Sequence, residues 1–152
     1  MLLIIGFLFM VLIASGVSAL VGMGFLWFFD LPSILLILVP LLFFLFVTKS
    51  GKILNRYMKT SFRKDHAYTE NELISLRSAI KQIGKLVISI GGFGFVAGVL
   101  GSLINLENRS ALGPNLAVSL LTLLYAIALS VFVFLPVEAW AENKINALKD
   151  EA

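Results

Sequence analysis

Residues 86–106 read LVISIGGFGFVAGVLGSLINL and contain no Asp, Glu, Lys or Arg. Three further runs without these side chains cover residues 1–29, 31–48 and 110–137. Runs of about 18 or more apolar residues can cross the roughly 30 Å hydrocarbon core of a bilayer. The 152-residue chain is 59% hydrophobic and 14% charged, whereas soluble domains run near 45–50% and about 25%. The sequence therefore predicts an all-α polytopic membrane protein and excludes a soluble enzyme.

The predicted organisation is a single membrane domain over residues 1–152 with four transmembrane helices. The spans are expected at about residues 1–26, 32–50, 84–106 and 114–137. One competing interpretation treats the first run as a signal peptide cleaved after Ala19. The chain has no Lys or Arg before residue 49, so the basic segment that precedes a signal peptide's apolar run is absent, and a retained first span is favoured.

The charges predict an orientation. The connection over residues 49–85 carries nine basic and three acidic side chains, whereas the outer connections carry Asp30, and Glu107 with Arg109. Basic residues stay on the cytoplasmic side, so this connection and both termini are predicted to be cytoplasmic. The net charge of +3 is explained by this topology, and no nucleic-acid partner is predicted.

Two helical cytoplasmic stems are predicted within this connection. Thr69 and Glu72 have the spacing of a capping box, and an apolar stripe follows at intervals of three and four residues: Leu73, Leu76, Ile80, Ile83 and Val87. We expect a helix from near Glu70 that runs without a break into the third span. A comparable stripe with opposing basic residues lies below the second span. Such stems either place basic side chains at the membrane interface or form a charged surface for another protein.

The chemistry-bearing residues are few. The chain has no Cys, and its single His66 lies in the polar connection, where a solvated loop histidine is the favoured interpretation. No metal site, cofactor or catalytic group is predicted, and the enzyme class has no support. The span interiors contain no ionisable Asp, Glu or His, so any ion that crosses would need a carboxylate from a partner.

Small and weakly polar side chains form stripes in the third and fourth spans. Such stripes favour close helix packing, and their hydroxyls can also line a narrow wet path or bond a partner helix. The candidate positions facing the ion path or partner are Gly98, Ser102, Asn105, Ser119, Thr122 and Ala126. Two prolines are candidate kink or gating positions. Gly113-Pro114 is predicted to be a turn that opens the fourth span, and Pro136 to kink or end it.

Several segments resemble a known family. Residues 98–102 (GVLGS), 106–125 (LENRSALGPNLAVSLLTLLY) and 134–136 (FLP) resemble the third and fourth spans of MotA-type stator subunits. Residues 29–37 (FDLPSILLI) resemble the first outer turn of the same proteins. The chain is therefore similar to the MotA/TolQ/ExbB ion-channel family, with residues 110–118 as the most specific part.

The resemblance implies an assembly in the bacterial cytoplasmic membrane. Family members form a homo-oligomeric ring, typically a pentamer, around two single-span helices of a MotB/TolR/ExbD-like partner. The partner's membrane Asp carries H⁺ or Na⁺, and ion flow powers mechanical work in the envelope. By motif position, Ser102 takes the place of the family's pore-facing Thr and keeps its hydroxyl.

Two departures accompany the resemblance. Thr122 is followed by Leu123 where the family often has a second polar residue, and the connection over 49–85 is much shorter than the cytoplasmic domain of MotA. The first hypothesis is therefore an ion-driven motor subunit that serves an envelope machine. The second is a non-conducting oligomeric scaffold that anchors partner proteins, which these two departures favour.

Overall fold

The computed structural model describes residues 2–22, 29–61, 68–104, 106–107 and 109–150. Its helices are α1 (Leu2–Val21), α2 (Leu31–Val47), α3 (Ser50–Ser61), α4 (Glu70–Ile104), α5 (Arg109–Leu129) and α6 (Leu135–Asp150). A π-helical turn, Ser130–Phe134, joins α5 to α6. Across these ranges the chain is helical with no strand, so the all-α prediction is confirmed.

Three long apolar helices have the length and composition of membrane spans: Leu2–Leu20, Glu70–Ile104 and Ser110–Asp150. A fourth span results if α2 is taken together with α3, because the pair together has the length and composition of a span, with a bend of 95° between the two helices. The chain is therefore a membrane protein with three to four spans. The predicted count of four remains a prediction.

The turn between α2 and α3 is built from local hydrogen bonds. The Thr48 hydroxyl lies 2.7 Å from the Phe44 carbonyl oxygen and 2.8 Å from the Ser50 hydroxyl. Lys49 then adopts a left-handed backbone conformation with φ 56°, which side chains with a Cβ rarely adopt. The first predicted stem is therefore a helix, but it turns sharply away from the direction of α2.

The predicted continuous helix from Glu70 is confirmed. The Glu72 carboxylate accepts a hydrogen bond of 3.2 Å from the Thr69 backbone N–H, and the Thr69 carbonyl accepts from Leu73. These bonds satisfy groups that a helix start leaves unpaired. The helix then continues for 35 residues. The apolar part of α4 and the charged part that precedes it are thus one continuous helix.

The core follows the stripe predicted on α4. Its five members are almost fully buried, and all except Leu73 belong to one cluster with Val137 and Ala141 of α6, which are also inaccessible. Side chains spaced by three and four share one helix face, so one stripe on each helix forms the contact.

The predicted turn at Gly113-Pro114 is wrong. Helix α5 begins at Arg109 and Pro114 is its sixth residue, so both residues lie inside the helix. Pro114 has no N–H to donate to the carbonyl four residues back, so a single intrahelical bond is missing there. The fourth span therefore begins earlier than expected.

Pro136 does not end its helix, because α6 continues to Asp150. The π-helical turn lies directly before it, and there the Leu135 N–H bonds to the Ser130 carbonyl, five residues back. Pro136 has no N–H to donate to the Phe132 carbonyl four residues back. At this point the π-helical turn replaces the regular α-helical hydrogen bonds. A gating role for Pro136 and Pro114 remains a prediction.

Candidate functional site

The predicted small-residue stripes of the third and fourth spans meet each other. A Cβ added to Gly91 would lie 2.2 Å from the Ala126 Cβ, and one added to Gly98 would lie 2.0 Å from the Ser119 hydroxyl oxygen. Between them, a Cβ on Gly94 would lie 2.8 Å from the Thr122 methyl carbon. Helices α4 and α5 are therefore in close contact over about two turns, which only glycine on α4 permits.

The hydroxyls of this contact bond to their own helices. Ser102 donates to the Gly98 carbonyl at 3.0 Å, and Ser119 donates to the Asn115 carbonyl at 2.7 Å. Both side chains are 2% exposed, and Thr122 is 3% exposed. Bonds to the carbonyl four residues back satisfy a buried hydroxyl within the helix itself. The stripe is thus a packed interface in the single protomer, with lone pairs of the hydroxyl oxygens left over as acceptors.

A residue that the sequence analysis did not single out completes the polar contact. Ser33 of α2 is 1% exposed, and its hydroxyl donates to the Val118 carbonyl of α5 at 3.2 Å. The Thr122 hydroxyl lies 2.7 Å from the Ser33 hydroxyl. The signal in the sequence was the Asp30-Leu-Pro-Ser33 helix start, which predicts a cap but says nothing about a contact with another span.

The N-terminus of α2 is held to α5 by the same group of residues. The Asp30 carboxylate caps α2 by accepting from the Ser33 N–H at 2.9 Å. The Asp30 N–H in turn donates to the Tyr125 hydroxyl at 3.2 Å. A carboxylate at a helix N-terminus is stabilised by the helix dipole. Asp30, Ser33, Thr122 and Tyr125 therefore form one polar cluster between α2 and α5.

The predicted site residues divide into three groups. Gly98, Ser119, Thr122 and Ala126 lie in the α4–α5 contact, and Ser102 lies one turn further along α4. Pro114 and Pro136 lie away from it, near the start of α5 and at the start of α6. Asn105, like His66, falls outside the described residues. The roles of these residues in an ion path remain predictions.

The end of the bundle that carries α3 is held by ion pairs and aromatic rings. Arg77 of α4 bonds to Glu142 of α6 at 2.8 Å, and Arg56 of α3 pairs with Glu72 of α4. The Tyr57 ring of α3 lies 5.7 Å from the Trp140 ring of α6. Exposed ion pairs contribute little to stability, so the buried Tyr57 ring is the stronger anchor of α3.

The fold and the site define a polytopic helical membrane protein whose close α4–α5 contact carries hydroxyls and no acidic or basic group. The chain belongs to the MotA/TolQ/ExbB proton channel family, whose model matches residues 46–152. The family resemblance inferred from the sequence is thereby confirmed. Family membership and the apolar helices indicate an inner-membrane protein.

Two relatives extend the comparison. The chain is 31% identical to the chemotaxis protein PomA of Vibrio alginolyticus over 94 residues, which cover 62% of this chain and 36% of PomA. It is 37% identical to the uncharacterized protein YtxD of Bacillus subtilis strain 168 over 71 residues, or 47% of this chain and 26% of YtxD. The matched part of the chain thus spans about a third or less of each relative's length. No solved structure matches the chain.

Proposed function

We propose that the chain is the ring-forming subunit of an ion-driven motor in the inner membrane. In this proposal it adopts four spans, has both termini in the cytoplasm and assembles as a homo-oligomer, most simply a pentamer. A dimer of a single-span MotB/TolR/ExbD-like protein occupies the centre. Proton or sodium flow between the two components then drives mechanical work in the envelope.

The observation that carries this proposal is the absence of charge from the apolar parts of α4 and α5. Residues 86–106 and 110–137 contain no Asp, Glu, Lys, Arg or His, although the family is one of proton channels. A proton or Na⁺ crossing a bilayer needs a group that binds it, and membrane carboxylates usually serve. In this protein the carboxylate would therefore come from the partner.

The hydroxyls have a defined part in the proposal. Ser102 and Thr122 are buried and already donate their protons, to the Gly98 carbonyl and the Ser33 hydroxyl, so their free lone pairs are available to accept from a protonated carboxyl or to coordinate Na⁺. Because the protomer buries both side chains, an ion reaches them only when the partner or a neighbouring subunit shifts α4 relative to α5. Conduction is thus coupled to helix movement in this scheme.

The second candidate is a non-conducting ring that anchors other proteins. Burial of the hydroxyl stripe within the protomer favours this candidate, because side chains that are packed between two helices do not line an ion path. Leu123 also favours the non-conducting ring, since it places an apolar side chain beside Thr122 where a polar side chain would help to line an ion path. The two candidates share the ring and differ in ion flux.

Flux measurements separate the two candidates. The full chain is co-expressed with a single-span protein that bears a membrane Asp, and the purified complex is reconstituted into vesicles. If the complex is an ion-driven motor, we expect proton or sodium flux across the vesicle membrane. This flux should fall at least tenfold in the Ser102→Ala/Thr122→Ala variant while the complex still assembles. The control is Ser89→Ala, because the Ser89 hydroxyl makes the same bond to its own helix but is exposed.

The outcomes are distinct. No flux from an assembled complex would support the scaffold. Flux that is unchanged in the double variant would show that Ser102 and Thr122 do not line the path, although the complex conducts ions. Failure to recover any partner-bound complex from membranes would count against the motor itself.

A further inference from the structure

The position of α3 relative to the membrane follows from the turn that precedes it. Helix α2 has 17 residues and is therefore about 26 Å long, close to the roughly 30 Å hydrocarbon thickness of a bilayer. Helix α3 starts three residues after α2 ends and is bent from it by 95°. With α2 across the membrane, α3 lies along the membrane surface at the depth of the lipid headgroups.

The charged residues of α3 share one face. Lys52, Arg56 and Lys59 are spaced by four and three, which places them within about 60° of each other around the helix. All three are exposed. The opposite face carries Leu54 and Tyr57, and Tyr57 is buried among the aromatic rings of the bundle. The basic face of α3, defined by Lys52, Arg56 and Lys59 together with Lys49 at its start, is therefore exposed, and only Arg56 reaches a neighbouring helix among the residues that the structure describes.

The basic face is not neutralised by the protomer. No acidic residue occurs between Asp30 and Asp65 in the sequence. Arg56 pairs with Glu72, but Lys49, Lys52 and Lys59 make no ion pair with any residue that the structure describes. Three exposed lysines thus remain at headgroup depth.

We propose that the basic face of α3 binds the anionic headgroups of inner-leaflet phospholipids, such as phosphatidylglycerol. Lysines near an anionic membrane surface each strengthen attachment about fivefold, and α3 holds these three where the headgroup phosphates lie. An acidic protein would have to reach the same depth against the lipid already present. This inference is independent of ion conduction and requires that α2 is a membrane helix whose C-terminal end faces the cytoplasm.

Competition between two lipids tests the inference. The purified full chain is mixed in detergent with equal amounts of phosphatidylglycerol and phosphatidylcholine of matched acyl chains, and bound lipid is counted by native mass spectrometry. The test variant is Lys52→Gln/Lys59→Gln. The control is Lys81→Gln/Lys144→Gln, which removes the same charge from exposed lysines of the cytoplasmic parts of α4 and α6.

We expect the wild type to retain phosphatidylglycerol in preference, and the test variant to lose about fivefold of that preference for each lysine removed. The control should keep the preference. The variant Lys52→Arg/Lys59→Arg, which preserves the charge, should keep it too, and it provides a second comparison if the glutamine variant does not fold. Equal losses in test and control variants would overturn the inference, because net charge alone would then explain binding. A test variant that changes the subunit count but not the lipid ratio would also overturn it in favour of a second copy.

Discussion

The Thr122 hydroxyl of α5 lies 2.7 Å from the Ser33 hydroxyl of α2, and both side chains are almost fully buried. The Ser33 hydroxyl also donates to the Val118 carbonyl, so the two helices share a continuous polar link. In a bilayer no water competes for these groups, although an unfolded span also finds partners for them. The link therefore stabilises a specific pairing of α2 with α5.

A double-mutant cycle measures this link. We expect Ser33→Ala and Thr122→Val each to lower the free energy of unfolding in SDS titrations followed by circular dichroism. Their coupling should be about 0.6 kcal/mol and at most about 1.7 kcal/mol, the range for hydrogen bonds between membrane helices. Ser89→Ala is the control, because its exposed hydroxyl bonds only to the Lys85 carbonyl. Fully additive losses in the cycle would show that the two hydroxyls do not interact.

Two adjacent glycines provide a test of the α4–α5 contact. A Cβ on Gly91 would lie 2.2 Å from the Ala126 Cβ, whereas one on Gly92 would meet nothing within 4 Å. Gly91→Ala should therefore force the helices apart and cost about 1–3 kcal/mol. Gly92→Ala should be neutral or stabilise by up to about 1 kcal/mol, because alanine favours the helix. The two variants are compared by thermal unfolding in detergent, and equal melting temperatures would contradict the close contact.

The sequence predicted the parts of the fold that depend on local signals. The helix start at Glu70 depends on a capping box within four residues, and the α4 core stripe depends on helical periodicity alone. Both were correct because nothing distant changes them. The family resemblance was likewise contained in contiguous motifs and was confirmed.

The missed features depend on which elements lie opposite each other. The role of Ser33 as a link to α5 requires knowledge of the α2–α5 pairing. The 95° turn after α2 depends on a left-handed Lys49, a conformation that the residue type does not signal. Gly113-Pro114 resembled a turn, but helix α5 tolerates a proline near its start. Whether the small-residue stripes pack or line a path also depends on the facing helix, and in the protomer Gly98 faces Ser119.

The N-terminal part of α4 should contribute much of the stability of the bundle. Ile80 is fully buried there, whereas Ile74 on the opposite side of the same helix is 46% exposed. Ile80→Ala is expected to cost about 2–5 kcal/mol because it removes packed methyl groups and leaves a cavity. Ile74→Ala should cost less than about 1 kcal/mol, and chemical denaturation of the two variants measures the difference. Similar losses for both would mean that α6 does not pack on this face.

Helix α1 packs closely against the π-helical turn at Gly6. A Cβ on Gly6 would lie 2.0 Å from the Phe132 carbonyl oxygen, the carbonyl that a non-proline residue at position 136 would use as its α-helical acceptor. The Gly6 Cα therefore approaches an oxygen that Pro136 leaves without its usual donor, and weak Cα–H···O contacts favour such an approach.

Because a Cβ at position 6 would clash with backbone, which cannot rotate away, Gly6→Ala should lower stability by about 1–3 kcal/mol. Gly16→Ala is the matched control on the same helix, since a Cβ there meets nothing within 4 Å. Thermal unfolding of both variants in detergent gives the comparison, and a Gly6→Ala protein as stable as Gly16→Ala would show that α1 does not rest on Phe132.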